Sequence, residues 1–205
     1  MSPVHEFLTD TEADLGTQFL QDGCVILPVE DDSALSKIRD AVASAGAAHL
    51  ELSTPPDPSG ILNGIHDLID PKKLNDFRIS IITSLNAEDW LRPAYFNLAR
   101  QALHAVVGNE MVMQRRINLS IQLPHDASSL LPVHADVWSG DSPFEVVAWL
   151  PLVDCRKTKS MYLLPPGPNT EIQSNIAAFK GKSAEELFAA IEKDVTFLDI
   201  KFGEI

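Results

Sequence analysis

The sequence predicts an α+β protein. A mainly helical half, residues 1–110, leans on an antiparallel β-sandwich of the small jelly-roll kind in residues 111–205. Three observations carry this reading. Apolar residues recur at helical spacing in the first half, as at Leu91, Ala94, Tyr95, Leu98 and Ala102. From Met111 to Leu123 the period changes to two: Ile117, Leu119, Ile121 and Leu123 fall on one face, Asn118, Ser120 and Gln122 on the other. Short apolar runs bounded by turn residues then follow at strand length.

Taken in order, a helix is expected over Glu12–Gln21, closed by the turn signal Asp22-Gly23 and followed by a short strand, Cys24–Pro28. Asp31, Asp32 and Ser33 can cap a helix that runs through Leu35, Ile38, Val42 and Ala45 and ends at Gly46. Residues 53–60 hold three prolines and read as a loop. Asp70-Pro71 opens another helix, and Trp90–Val107 reads as a single helix stopped by Gly108. In the second half the strand candidates are Met111–Leu123, Leu131–Trp138, Phe144–Leu152 and Ser160–Leu164, with a cationic turn at Arg156–Lys159. A helix over Ala184–Ile191 and a last strand over Val195–Ile200 complete the pattern. Gly181-Lys182-Ser183 lacks the upstream glycine of a phosphate-binding loop and reads as a helix cap. With no repeats and no low-complexity segment, 1–205 reads as one domain.

Composition narrows the function classes. Twenty-nine acidic against 16 basic side chains give a net charge of −13, which repels phosphate backbones and argues against nucleic-acid binding. A small neutral or weakly charged substrate fits better. The acidic start (Glu6, Asp10, Glu12, Asp14) is unlike a signal peptide, and Val146–Val153 is too short to span a bilayer, so a cytoplasmic protein with no membrane role is expected. Cys24 and Cys155 are too few for a disulfide framework and read as buried free thiols.

The chemistry centres on Val133-His134-Ala135-Asp136-Val137. On an extended backbone, residues i and i+2 share a face, so His134 and Asp136 present an imidazole and a carboxylate side by side. These are two of the three donors of the facial triad that leaves coordination positions open at non-haem Fe(II). His125-Asp126 is a weaker pair, because consecutive residues point apart, and reads as surface. His66-Asp67 falls at a helix start or in a loop, where it either caps the helix, the favoured reading, or reaches the cavity from the helical layer.

The residues around this pair carry a resemblance. Ile121-Gln122-Leu123-Pro124, Leu131-Pro132-Val133-His134-Ala135-Asp136-Val137-Trp138, Trp149-Leu150-Pro151-Leu152 and Ser160-Met161-Tyr162-Leu163-Leu164-Pro165 resemble the 2-oxoglutarate/Fe(II)-dependent oxygenase superfamily. More narrowly, they resemble the members found sporadically in carbohydrate biosynthesis clusters. The match covers about a quarter of the chain, residues 118–165. It implies a double-stranded β-helix (jelly roll, cupin-like), with Fe(II) held by His134 and Asp136 as metal and catalytic residues and 2-oxoglutarate as cosubstrate. It further implies hydroxylation of a small-molecule or carbohydrate-pathway substrate. The family's distal histidine and arginine follow a short Gly-Asp/Glu strand. Gly203-Glu204-Ile205 matches its start, and the chain stops there, so the jelly roll is expected to be incomplete at its C-terminus.

Candidate contacts to the cosubstrate are Gln122, Lys159 and Tyr162; candidate contacts to the substrate are Asn118, Ser120 and Trp138. The polar face holding Asn118, Ser120 and Gln122 either lines the cavity or simply meets water. Two other functions stay open at this point: a cupin-type sugar isomerase or epimerase, and a non-catalytic binding protein derived from a degenerate jelly roll.

Overall fold

A computed structural model describes residues 7–52, 57–126 and 131–205 of the chain. Local capping chemistry sets most helix starts. Helix α1 (Asp10–Asp22) opens with a reciprocal box in which Thr9 and Glu12 each satisfy the other's backbone N–H, and it closes at Gly23 in the left-handed region (φ 76°). Helix α2 (Asp32–His49) begins where Asp31 accepts the Ala34 N–H at 2.9 Å. It runs past Gly46, which is a close approach and not a stop: a Cβ there would lie 3.3 Å from the Phe77 ring. Of the expected loop 53–60, residues 53–56 lie outside the described residues, and Pro58 to Gly60 form the start of α3 (Pro58–Asn63). The short α4 (Ile65–Leu68) follows. Asp70 then caps a 3₁₀ turn, Pro71–Lys73, that leads into α5 (Leu74–Asn86).

The helix expected over Trp90–Val107 is two helices, α6 (Leu91–Asn97) and α7 (Arg100–Val106). The cause of the break lies far away in sequence. The Glu30 N–H donates to the Leu98 carbonyl at 2.8 Å, and the Glu30 carboxylate accepts the Gln101 N–H at 2.8 Å, so one residue satisfies the end of α6 and the start of α7. Helices α2, α5 and α6 enclose a core of Leu35, Ile38, Phe77, Ile81, Leu91 and Leu98.

The expected β-sandwich is not formed. Among the described residues helices hold 52% and strands 4%, which rules out a double-stranded β-helix, jelly roll or cupin-like, whether complete or cut short. Among the described residues the ladder consists of β1 (Tyr162–Leu163) paired antiparallel with β2 (Thr196–Phe197). The physical reason is where the extended segments spend their hydrogen bonds and apolar faces. Ile117, Leu119, Ile121 and Leu123 do alternate with exposed Asn118, Ser120 and Gln122, but their apolar side packs on the helical core and not on a second sheet. Asn86 accepts the Ile117 N–H and donates to the Ile117 carbonyl, both at 2.8 Å, which takes the place of a neighbouring strand. Leu150 and Leu152 pack on the same core, and the Tyr95 hydroxyl donates to the Ala148 carbonyl at 2.9 Å. Pro132 and Pro151 remove further ladder donors from within these runs, and Pro124 and Pro143 do so at their edges.

Among the described residues, further strand-like pairing takes the form of short contacts. Leu27 and Ile205 exchange backbone bonds at 3.0 and 2.9 Å, as do Cys155 and Ile200 at 2.9 and 3.0 Å. Helix α8 (Pro166–Ser174) was not expected, its start being rich in proline and glycine. Helix α9 (Ala184–Ile191) stands as expected, with Ser183 and Glu186 forming its capping box.

Two stability predictions follow from the clamps on the extended segments. Asn86→Ala orphans both backbone groups of Ile117 and should cost about 2 kcal/mol in urea unfolding; a loss below about 0.5 kcal/mol would show that the clamp is dispensable. For Tyr95, burial pushes the hydroxyl up to about 12, against a weaker opposing backbone hydrogen bond from Leu150. A tyrosine in the unfolded chain ionises near 10, so the unfolded state loses its proton first as pH rises. The stability from the neutral phenol is therefore complete below about pH 10 and is lost between about 10 and 12. The chain has two tyrosines, so absorbance at 295 nm in the Tyr162→Phe variant isolates Tyr95. Ionisation near 10 while the fold persists would refute the assignment.

Candidate functional site

The segment after Pro132 brings the predicted metal pair together. Ala135 is extended (φ −127°, ψ 135°), so the side chains on either side of it project from the same edge, before the chain tightens into the 3₁₀ turn Asp136–Ser139. His134 Nε2 lies 3.5 Å from Asp136 Oδ1, and both side chains are close to half-exposed. On the other side of the ring, His134 Nδ1 lies 2.7 Å from the Pro132 carbonyl oxygen. That oxygen can only accept, so Nδ1 carries the proton and donates it. In the neutral imidazole, Nε2 therefore turns a lone pair towards a carboxylate oxygen. Two acceptors facing each other at this distance are stabilised by a cation between them. That cation is either a proton, which gives an imidazolium–carboxylate pair, or a metal ion.

The spacing suits a metal. Imidazole nitrogen and carboxylate oxygen each bind at about 2.0–2.2 Å, and two such donors 3.5 Å apart subtend roughly 105–120° at one ion, wider than the roughly 90° between neighbouring positions of a six-coordinate Fe(II) site. A ring nitrogen that donates to a backbone carbonyl is also the usual second contact of a metal-binding histidine, fixing its tautomer and raising its basicity. Among the described residues no third His, Cys, Asp or Glu completes a three-donor group. His125 sits in the left-handed region (φ 60°) and is exposed, and His66 lies 3.6 Å from Asp67 in α4.

The other predicted site residues disperse. Trp138 stays with the pair, half-exposed on the 3₁₀ turn, where it walls a groove of about 340 Å³ together with Val133. Asn118, Ser120 and Gln122 are exposed on the outer face of their segment, with Asn118 also reaching a small cavity of about 50 Å³. The Lys159 ammonium donates to Asn63 Oδ1 of α3 at 3.3 Å. The Tyr162 ring packs against Phe188 and Phe197, with centroids 5.1 and 5.3 Å away, and burial pushes its hydroxyl up. Burial likewise pushes both Cys24 and Cys155 up, which keeps them as thiols and poor nucleophiles. Ile176, Phe179, Lys180 and Lys182 were not expected at the site, yet they form the far wall of the groove. The only trace of them in the sequence was Gly181-Lys182-Ser183, which serves as the α9 cap.

Comparison of the chain with protein families, with curated proteins and with solved structures finds no match in any of the three. Among the described residues no helix is long and apolar enough to cross a membrane.

The tautomer is directly testable. Long-range ¹H–¹⁵N correlation spectra should show neutral His134 protonated at Nδ1 and bare at Nε2. A spectrum with the proton on Nε2 would sink the Pro132 anchor and with it the donor geometry.

Proposed function

We propose that this chain supplies a histidine–carboxylate pair to an Fe(II) centre, and that its activity is 2-oxoglutarate-dependent oxygenation of a small-molecule or carbohydrate-pathway substrate. The observation that carries the reading is the Pro132 anchor, which leaves His134 Nε2 as a bare donor 3.5 Å from Asp136 Oδ1. The resemblance of residues 118–165 supports the oxidative chemistry. Fe(II), when bound, supplies open positions for the 2-oxo acid and O₂.

The chain's own residues do the rest. His134 offers a neutral nitrogen of fixed orientation, and Asp136 lowers the charge of a divalent ion while taking up one further position. Trp138, two residues beyond, gives the flat wall against which a substrate lies. The contacts of Lys159 with Asn63, and of Tyr162 with Phe188 and Phe197, favour structural roles for those two residues. A second reading, a metal-free binding protein in which His134 and Asp136 form a plain ion pair, is favoured by the lack of a third donor among the described residues.

Anaerobic titration of the full chain with Fe(II), read by calorimetry, separates the two readings. Binding of one ion per chain is expected, weakened at least tenfold in His134→Ala and in Asp136→Ala, together with succinate release from 2-oxoglutarate in air. Equal affinity in all three proteins would overturn the metal assignment. Absence of binding, with both variants less stable than the parent, would establish the ion pair instead.

A further inference from the structure

The groove beside Trp138 has a chemistry of its own. Trp138, Ile176, Phe179 and Leu187 give it an apolar lining, and Lys180 and Lys182 are its charged members. Trp138 is 45% exposed and Ile176 38%, so large apolar surface faces solvent where burial would be favourable. The Lys182 ammonium sits 5.1 Å from the centre of the Phe179 ring, held over its face. In a chain of 29 acidic and 16 basic residues, the described lining carries two lysines and no carboxylate. Two carboxylates at the α9 start engage Ser183 of the lining: Glu186 accepts the Ser183 N–H at 2.8 Å, and Glu185 is hydrogen-bonded to the Ser183 side chain. The lining residues themselves are therefore positive in charge, opposite in sign to the whole molecule.

We propose that this groove binds a small organic anion with a flat apolar body, its body between Trp138 and Phe179 and its charge on Lys180 and Lys182. The volume of about 340 Å³ lies within the range of small-molecule sites, about 300–1,000 Å³. A phosphate-backbone polymer or an anionic membrane would meet the repulsion of the remaining surface, whereas a single small anion meets only the two lysines. Val133 and Trp138 line the groove and flank His134 and Asp136 in the chain. The inference thus deepens the oxygenase reading by naming the chemical class of its substrate, and only its naming as substrate rests on that reading.

The test uses two fluorescent probes of nearly the same shape, 1-anilinonaphthalene-8-sulfonate and its uncharged analogue N-phenyl-1-naphthylamine, with the full chain in metal-free buffer. The sulfonate should bind more tightly than the neutral probe and weaken with added salt. Lys180→Glu together with Lys182→Glu should weaken the sulfonate roughly tenfold, at about three- to fivefold per exposed charge, and leave the neutral probe unchanged. Trp138→Ala should weaken both probes, while Phe144→Ser, which removes an aromatic side chain 87% exposed outside the groove, should weaken neither. Should Trp138→Ala fail to fold, the exposed lysine pair still decides the matter. The proposal is overturned if the lysine reversals leave the sulfonate unaffected, if the neutral probe binds as tightly, or if Phe144→Ser abolishes binding. Sulfonate binding is read in metal-free buffer and Fe(II) binding without the probe, so failure of the groove and failure of the metal pair are read separately.

Discussion

Asn86 offers Ile117 one donor and one acceptor, both at 2.8 Å, which is what an adjacent strand would offer the same residue. At Ile117 a side-chain amide thus stands in for a ladder, at the point where the extended segment meets the helical layer. A half-buried backbone cannot leave its N–H and C=O unpaired. Once a helix supplies the partners, the extended segment has no need of a sheet. Its apolar face then goes to the nearest apolar surface, the core between α2, α5 and α6. The Tyr95 hydroxyl does the same for the run ending at Leu152 through the Ala148 carbonyl, and the Arg92 guanidinium for Met113. The chain end is tied in by comparable means. The Phe202 N–H donates to Asp154 Oδ1 at 3.0 Å, the Arg39 guanidinium lies over the Phe202 ring, and Phe202 and Ile205 pack on the core.

This arrangement determines what kind of site the molecule presents. A barrel would place inward-facing polar residues around an enclosed cavity. Here the polar face of residues 118–122 meets solvent, and His134 and Asp136 stand at the surface on a turn. Electrostatic interactions are weak where water reaches them and strengthen as it is excluded. Chemistry at this pair therefore depends on whatever covers it, and the groove next to it is where a covering ligand can lie. Trp138 belongs to both features, since the 3₁₀ turn that begins at Asp136 carries it to the groove wall.

Much of the helical layer was legible because its signals are local. Asp31, Asp70, Asp22-Gly23 and the Ser183–Glu186 box each act within a few residues of the boundary they set. The break between α6 and α7 was not legible, because Glu30 acts on it from some 70 residues away. Gly46 was misread as a stop, since nothing in the sequence shows that Phe77 lies against it. The alternation at 117–123 was read as one apolar and one polar face of a jelly-roll strand; the two faces are there, the polar one exposed, but the strand is not. A period of two reports burial without saying what covers the buried side, and a helical layer covers it here. The same distinction applies to the site. His134 and Asp136 meet because their proximity is written into i and i+2 on one extended stretch. Lys159 and Tyr162 depended on tertiary placement, which Asn63, Phe188 and Phe197 decide. The groove joins residues 133 and 138 to residues 176–187 across segments that share no local pattern.

The two candidate sites have opposite electrostatic needs. The histidine–carboxylate pair calls for a cation and the groove for an anion, while residues 133 and 138 bind the two features into one stretch of chain. Trp138 is where they meet in the chain, since the turn that begins at Asp136 carries it to the groove wall. With a net charge of −13, the surface as a whole repels stray anions, and the two lysines form a small basic patch and not part of a broad basic field. Selectivity for one small anion then comes from the contrast between groove and surroundings, and shape is left to Trp138 and Phe179.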